Sequence, residues 1–184
     1  PEARLTGILG QSYRVNSRRD FGEGTGLDRP FSDVVVGIGA QVQDWVDGAM
    51  RVRWNTSTGG ISAAETRLKL GHNPIQLTLS HTMLDARTAD GQTIDEIHQV
   101  DAALRAQFND NWAGFVRHQR DLNDDEALRS QVGLSYADEC FRFESVFTRE
   151  SLENAEVRDN DSLIFRVVLR NLGGVSNSQS FARE

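Results

Sequence analysis

The chain has 184 residues, with 20 Lys+Arg against 27 Asp+Glu, a net charge of −7 and a pI near 5.1. That length fits one domain with a sizeable core, and an acidic balance without Lys/Arg clusters argues against a nucleic-acid partner. With 38% hydrophobic and 26% charged residues the chain is not disordered; its mean hydropathy of −0.48 and the lack of any run of about 18 apolar residues exclude a membrane-spanning helix but not a membrane-spanning barrel.

Cys140 is the single cysteine, which rules out an internal disulfide framework and a zinc site built on cysteines. The sequence opens at Pro1 without a basic-then-apolar leader. Any secretory signal is therefore expected to have been removed or to lie outside this sequence.

A period of two runs along the chain, and no helical period competes with it. Residues 5–15 and 33–43 read as less regular strands. Residues 46–55 alternate strictly, with Val46, Gly48, Met50, Val52 and Trp54 opposite Asp47, Ala49, Arg51, Arg53 and Asn55. Next, Ala64, Thr66, Leu68 and Leu70 oppose Glu65, Arg67 and Lys69. Ile75, Leu77, Leu79, His81 and Met83 oppose Gln76, Thr78, Ser80 and Thr82. Val100, Ala102, Leu104, Ala106 and Phe108 oppose Gln99, Asp101, Arg105 and Gln107. Residues 112–120 form a third irregular strand. Leu128, Val132, Leu134 and Tyr136 then oppose Arg129, Gln131 and Ser135. Phe141, Phe143 and Phe147 oppose Arg142 and Glu144, and Leu163, Phe165, Val167 and Leu169 oppose Arg166 and Arg170. The apolar face of these seven segments carries no Asp, Glu, Lys or Arg. One face must meet a greasy medium and the other water or a polar lumen.

The count predicts about ten strands of roughly 9–11 residues, the length of a tilted strand crossing a bilayer. Soluble strands run nearer about 5–6 residues. Connections alternate in length: 16–32 is long, the turn at Asp44 tight, 56–60 moderate, 72–74 tight and 85–95 long. The alternation continues with 109–111 tight, 121–127 acidic, 138–139 tight and 149–161 long. Outer-membrane barrels share this asymmetry, with short periplasmic turns and long outer loops. Trp45, Phe108, Trp112 and Tyr136 lie beside short turns, and Trp54 and Tyr13 near the opposite strand ends. Trp and Tyr favour both bilayer interfaces. The alternative is a soluble or small-ligand-binding antiparallel barrel, the same pattern turned inside out.

Two stretches in the last third carry a resemblance. Asp138-Glu139-Cys140-Phe141-Arg142-Phe143, and the run from Arg158-Asp159-Asn160-Asp161-Ser162 to Asn171-Leu172-Gly173-Gly174, resemble the C-terminal end of the LptD family, the outer-membrane lipopolysaccharide-assembly proteins. Gly10-Gln11-Ser12-Tyr13-Arg14 and Gly26-Leu27-Asp28-Arg29-Pro30-Phe31-Ser32-Asp33 are similar to stretches of the same barrel. The resemblance implies an all-β fold, an antiparallel up-and-down outer-membrane barrel segment that is either an open curved sheet or a small closed barrel. Residues 1–184 are then the C-terminal part of the barrel, with no second domain. Family members also carry a signal peptide, a periplasmic β-jellyroll and a plug lipoprotein.

The implied function is transport. Lipopolysaccharide arrives from periplasmic bridge proteins and is inserted into the outer leaflet, the lipid leaving through a seam between the first and last strands. The implied partners are lipopolysaccharide, the bridge proteins, the plug lipoprotein and outer-membrane lipids, and the implied location is the cell outer membrane. Residues 162–172 match the last strand, so Ser162, Ile164, Arg166, Val168 and Arg170 are expected on an edge strand at the seam. Family cysteines near Cys140 bond to the periplasmic domain. Glu139 stands here beside Cys140, where familiar members carry two adjacent cysteines.

Arg51, Arg53, Arg67, Lys69, Arg105 and Arg142 are candidates to line a lumen for phosphorylated sugars, with cross-strand ion pairing as the ordinary alternative. His72, His81, His98 and His118 show no HxH or HExxH spacing, so no metal site is expected. His81 on the apolar face is unusual and lies within reach of headgroups. Asp159-Asn160-Asp161 and Asp124-Asp125-Glu126 lack the full calcium ligand set. Gly22, Gly24 and Gly26 lack the strand–helix context of a phosphate cradle. No catalytic triad is indicated by spacing, and the chain is expected to be a non-enzyme without a cofactor.

Overall fold

The structure is a computed structural model and describes residues 2–15, 30–89, 92–151, 160–169 and 173–182. Among the described residues every regular element is a strand. They are β1 (Ala3–Gly10), β2 (Val34–Val42), β3 (Val46–Trp54), β4 (Ile61–His72), β5 (Ile75–Leu84), β6 (Arg87–Ala89), β7 (Gln92–Ile94), β8 (Ile97–Gln107), β9 (Trp112–Asp121), β10 (Ala127–Ala137), β11 (Phe141–Glu150), β12 (Asn160–Leu169) and β13 (Gly173–Ala182). Eleven of them form one sheet in chain order, while β6 and β7 pair as a small separate hairpin inside the β5–β8 connection. β1 and β13 are the first and last strands of that order. The expected antiparallel up-and-down meander is present.

The eleven strands of the sheet agree with the expected count of about ten. One expectation needs correction: β13 removes the edge position expected of Ser162, Ile164, Arg166 and Val168. β12 is paired on both sides, to β11 from Phe141↔Leu169 to Glu150↔Asn160 and to β13 from Leu169↔Gly173 to Asn160↔Ala182. Polar and small residues dominate β13, so its backbone ladder forms without the apolar alternation that marks the other strands. Arg170 lies outside the described residues, as do Gly22, Gly24, Gly26, Arg158 and Asp159.

The chain divides into two compact units, Pro1–Lys69 with Ser80–Val100 and Leu70–Leu79 with Asp101–Glu184. In the first unit, paired residues put Leu5, Ala40 and Gly48 in one row, Gly7, Ile38 and Met50 in the next, and Leu9, Val36 and Val52 in a third. Cross-strand partners share a face, so the alternation read in β3 extends through β1 and β2. In the second unit Val116, Val132, Phe147 and Leu163 form one row. Trp112, Tyr136, Phe143 and Val167 form another, nearer the short turns.

Side chains close several turns. Asn109 Oδ1 accepts from Asn111 N at 2.9 Å and Trp112 N at 2.8 Å. Asp138 Oδ1 accepts from Cys140 N and Phe141 N, both at 2.8 Å. These Asx turns satisfy backbone donors that a two-strand corner leaves open. Glycine supplies the shape elsewhere. Near the end of β4, just before the turn into β5, Gly71 has φ +81°, a left-handed conformation that a side chain resists. In β10, Gly133 has no Cβ, and the ring of Phe115 on the paired strand occupies that space.

Candidate functional site

The apolar face has almost no protein cover. Among the described residues Ala113 is the one buried hydrophobic side chain. Leu5 is 82% exposed, Leu9 78%, Ile38 63%, Val132 50% and Phe165 44%. A folded chain in water buries such groups at about 25 cal/mol per Å². Here they stand in continuous rows on one side of each unit, as a surface made for an apolar solvent. The aromatic row bounds it at the short-turn end, where Trp112 and Tyr136 meet with ring centres 5.0 Å apart and Tyr136 lies 5.4 Å from Phe141. At the loop end of the same face, His118, Ser130, Arg149 and Asp161 occupy one register row. His118 Nδ1 and Ser130 Oγ are 2.9 Å apart, and Arg149 Nε donates to Asp161 Oδ1 at 2.9 Å. An apolar band bounded by aromatics on one side and paired polar groups on the other matches a bilayer's depth profile.

The opposite face is polar. In the first unit it holds a concave space of about 530 Å³. Its floor is Gly37, Gly39 and Ala49, and Arg51, Glu65 and Arg67 stand around it. Arg51 reaches Glu65 at 3.9 Å, and both side chains are 64% exposed. Of the sequence-predicted lining set, Arg51 and Arg67 are therefore brought to one cavity. Arg53 and Lys69 follow at the next positions on the same strand faces of this unit. Arg105 and Arg142 belong to the second unit, where Arg142 lies opposite Ala137 and Val168.

Ion pairs run across the polar face of the second unit. Arg117 Nε reaches Asp101 Oδ2 at 2.7 Å, Arg129 reaches Glu150 at 2.6 Å, and Arg166 reaches Glu144 at 3.4 Å. With each arginine about half exposed, Asp101→Asn is expected to cost less than about 1 kcal/mol in urea unfolding. A loss several times larger would show a buried, strongly coupled pair instead.

The two upstream stretches that carry the resemblance meet in space. Arg14 N donates to Pro30 O at 2.7 Å and Ser32 N to Ser12 O at 2.9 Å, with the Tyr13 and Phe31 rings 4.8 Å apart. Ser32 and Asp33 are buried, and Ser62 Oγ donates to Asp33 Oδ2 at 3.1 Å. Sequence periodicity missed this knot because Ser, Asp and Gln carry no apolar signal. Cys140 lies at the short β10–β11 connection, where the sequence predicts a tight turn, and it is exposed.

The family model described as LptD, LPS transport system D, matches residues 2–112. The chain belongs to the LptD family. The match covers the upstream resemblance and the strands through β8, whereas the run around Cys140 lies beyond it. No curated protein matches the chain. Membership ties this LptD-family chain to lipopolysaccharide transport, to lipopolysaccharide as substrate and to the partners of that system. LptD is a transport family of the outer membrane rather than an enzyme family, and the β-rich fold is compatible with that location.

Proposed function

We propose that residues 1–184 form a single C-terminal segment of an outer-membrane barrel that inserts lipopolysaccharide into the outer leaflet. The lipid arrives from periplasmic bridge proteins, and the plug lipoprotein contacts the polar face. The uncovered apolar face carries this reading, since rows of exposed Leu, Val and Phe on strands of bilayer-spanning length suit a lipid medium. An apolar-inside soluble barrel needs a packed apolar interior, and Ala113 alone is a buried hydrophobe among the described residues. The cavity of about 530 Å³ with Arg51 and Arg67 is the part of the polar face best suited to phosphorylated sugars.

The test is site-specific photo-crosslinking in the full-length protein in growing cells. A benzophenone side chain at Arg51 or Arg67 is expected to capture lipopolysaccharide, while one at Leu9 or Val132 captures bulk lipid. Absence of lipopolysaccharide adducts at both polar-face positions during active transport overturns the lining role.

Cys140 is proposed to bond to a cysteine of the periplasmic domain, supported by its exposure at a short turn and by the oxidising compartment. Cys140→Ser is expected to abolish the mobility difference between reduced and non-reduced full-length protein that this bridge produces. An unchanged difference in the variant removes the assignment.

A further inference from the structure

Two histidines are left unused by the proposed transport role. His81 on β5 and His98 on β8 are 17 positions apart in sequence. Their rings meet with centres 4.9 Å apart and planes at 73°. Both belong to the first unit and both are half-buried. By strand alternation His81 shares the face of Leu77, Leu79 and Met83, and His98 the face of Val100 and Ala102. Both therefore stand on the apolar face, at the ends of β5 and β8 that flank the long connection.

A neutral imidazole offers one donor and one acceptor nitrogen, and placing it toward lipid costs free energy unless it has a polar partner. Among the described residues neither ring has a hydrogen-bond or ion-pair partner besides its contact with the other. Apolar side chains at both positions would avoid that cost. Two such rings converging from neighbouring strands point instead to a shared ligand.

The geometry names its class. A metal ion about 2.1 Å from one nitrogen of each ring, at a near-tetrahedral angle, sets the ring centres about 5 Å apart. The observed 4.9 Å matches. Imidazole suits Zn²⁺, Cu²⁺ and Ni²⁺ rather than Ca²⁺ or Mg²⁺, which prefer oxygen. We propose that His81 and His98 form a two-histidine transition-metal site on the outward face near the loop end. No third His, Cys, Asp or Glu groups with them among the described residues, so the remaining coordination positions fall to water or to oxygen atoms from outside the chain.

The test uses the full-length barrel purified in detergent, with Zn²⁺ alone in calorimetry and Cu²⁺ alone in electron paramagnetic resonance. His81→Asn, His98→Asn and the double variant are first checked for folding by heat-modifiable gel mobility. The wild type is expected to bind one ion more than the double variant. Each single variant should bind that ion at least about tenfold more weakly, since loss of even an outer-shell partner costs about 10–100-fold. Bound copper should show coupling to two nitrogens, falling to one or none in the variants. Metal uptake and copper spectra identical in wild type and double variant would leave the rings as an edge-to-face pair and overturn the site.

Discussion

Val132→Arg is expected to lose about 2–4 kcal/mol of folding stability in lipid vesicles, the cost of an arginine near the bilayer midplane of a barrel. Val132 sits at the middle of β10, 50% exposed, in the row with Val116, Phe147 and Leu163. Its neighbour Gln131 faces the other way, with its Nε2 donating to Thr148 Oγ1 at 3.0 Å. Gln131→Arg loses that bond, worth about 0.5–1.5 kcal/mol, and keeps its charge in water. Urea unfolding of both variants of the full-length protein, followed by gel mobility, measures the difference. Equal losses, or a larger loss at Gln131, would invert the assignment of faces.

Gly71→Val should be at least as damaging, for a different reason. At φ +81° a β-branched residue is strained by about 1–3 kcal/mol. Its Cβ would also lie 2.5 Å from the carbonyl oxygen of Ile75, a backbone atom that cannot step aside. The overlap adds about 1–3 kcal/mol, for an expected total of about 2–6 kcal/mol. Gly59 separates the two terms, because it has φ +74° and nothing within 4 Å of its would-be Cβ. Gly59→Val should therefore pay the strain alone. Melting of the purified barrel compares them, and equal destabilisation at both positions would show that the contact with Ile75 contributes nothing.

What the sequence made legible was whatever repeats with a period of two. The faces of β3, β5, β10 and β11 follow from alternating residues, because a pleated strand turns every second side chain to the same side. The long and short connections are read from turn residues such as Asn73-Pro74 and Asn109-Asp110-Asn111. β13 escapes because Gly, Ser, Asn and Gln make up most of it, leaving Val175 and Phe181 too sparse for an apolar alternation, while its backbone ladder to β12 forms regardless. The row of His118, Ser130, Arg149 and Asp161 was hidden because it forms only when register sets four strands side by side. His81 is unusual on an apolar face, yet the ring it meets, His98, lies on another strand, and spacing along one segment carries no sign of that pairing. Arg51 and Arg67 are legible only as two of six lining candidates, because the cavity beside them depends on Gly37, Gly39 and Ala49 leaving the floor bare.

The turns closed by Asn109 and Asp138 bear on how the chain acquires its structure. Each closure spans only two or three residues, so it needs no distant segment to be in place first. Short-range closures form early because little chain entropy is lost in making them. β8–β9 and β10–β11 can then zip outward from their corners, one rung at a time, toward the long connections. Those connections meet last, so their length scarcely slows the search. In such a chain the short turns act as starting points, and outer loops can grow or diverge without altering the route by which the strands come together.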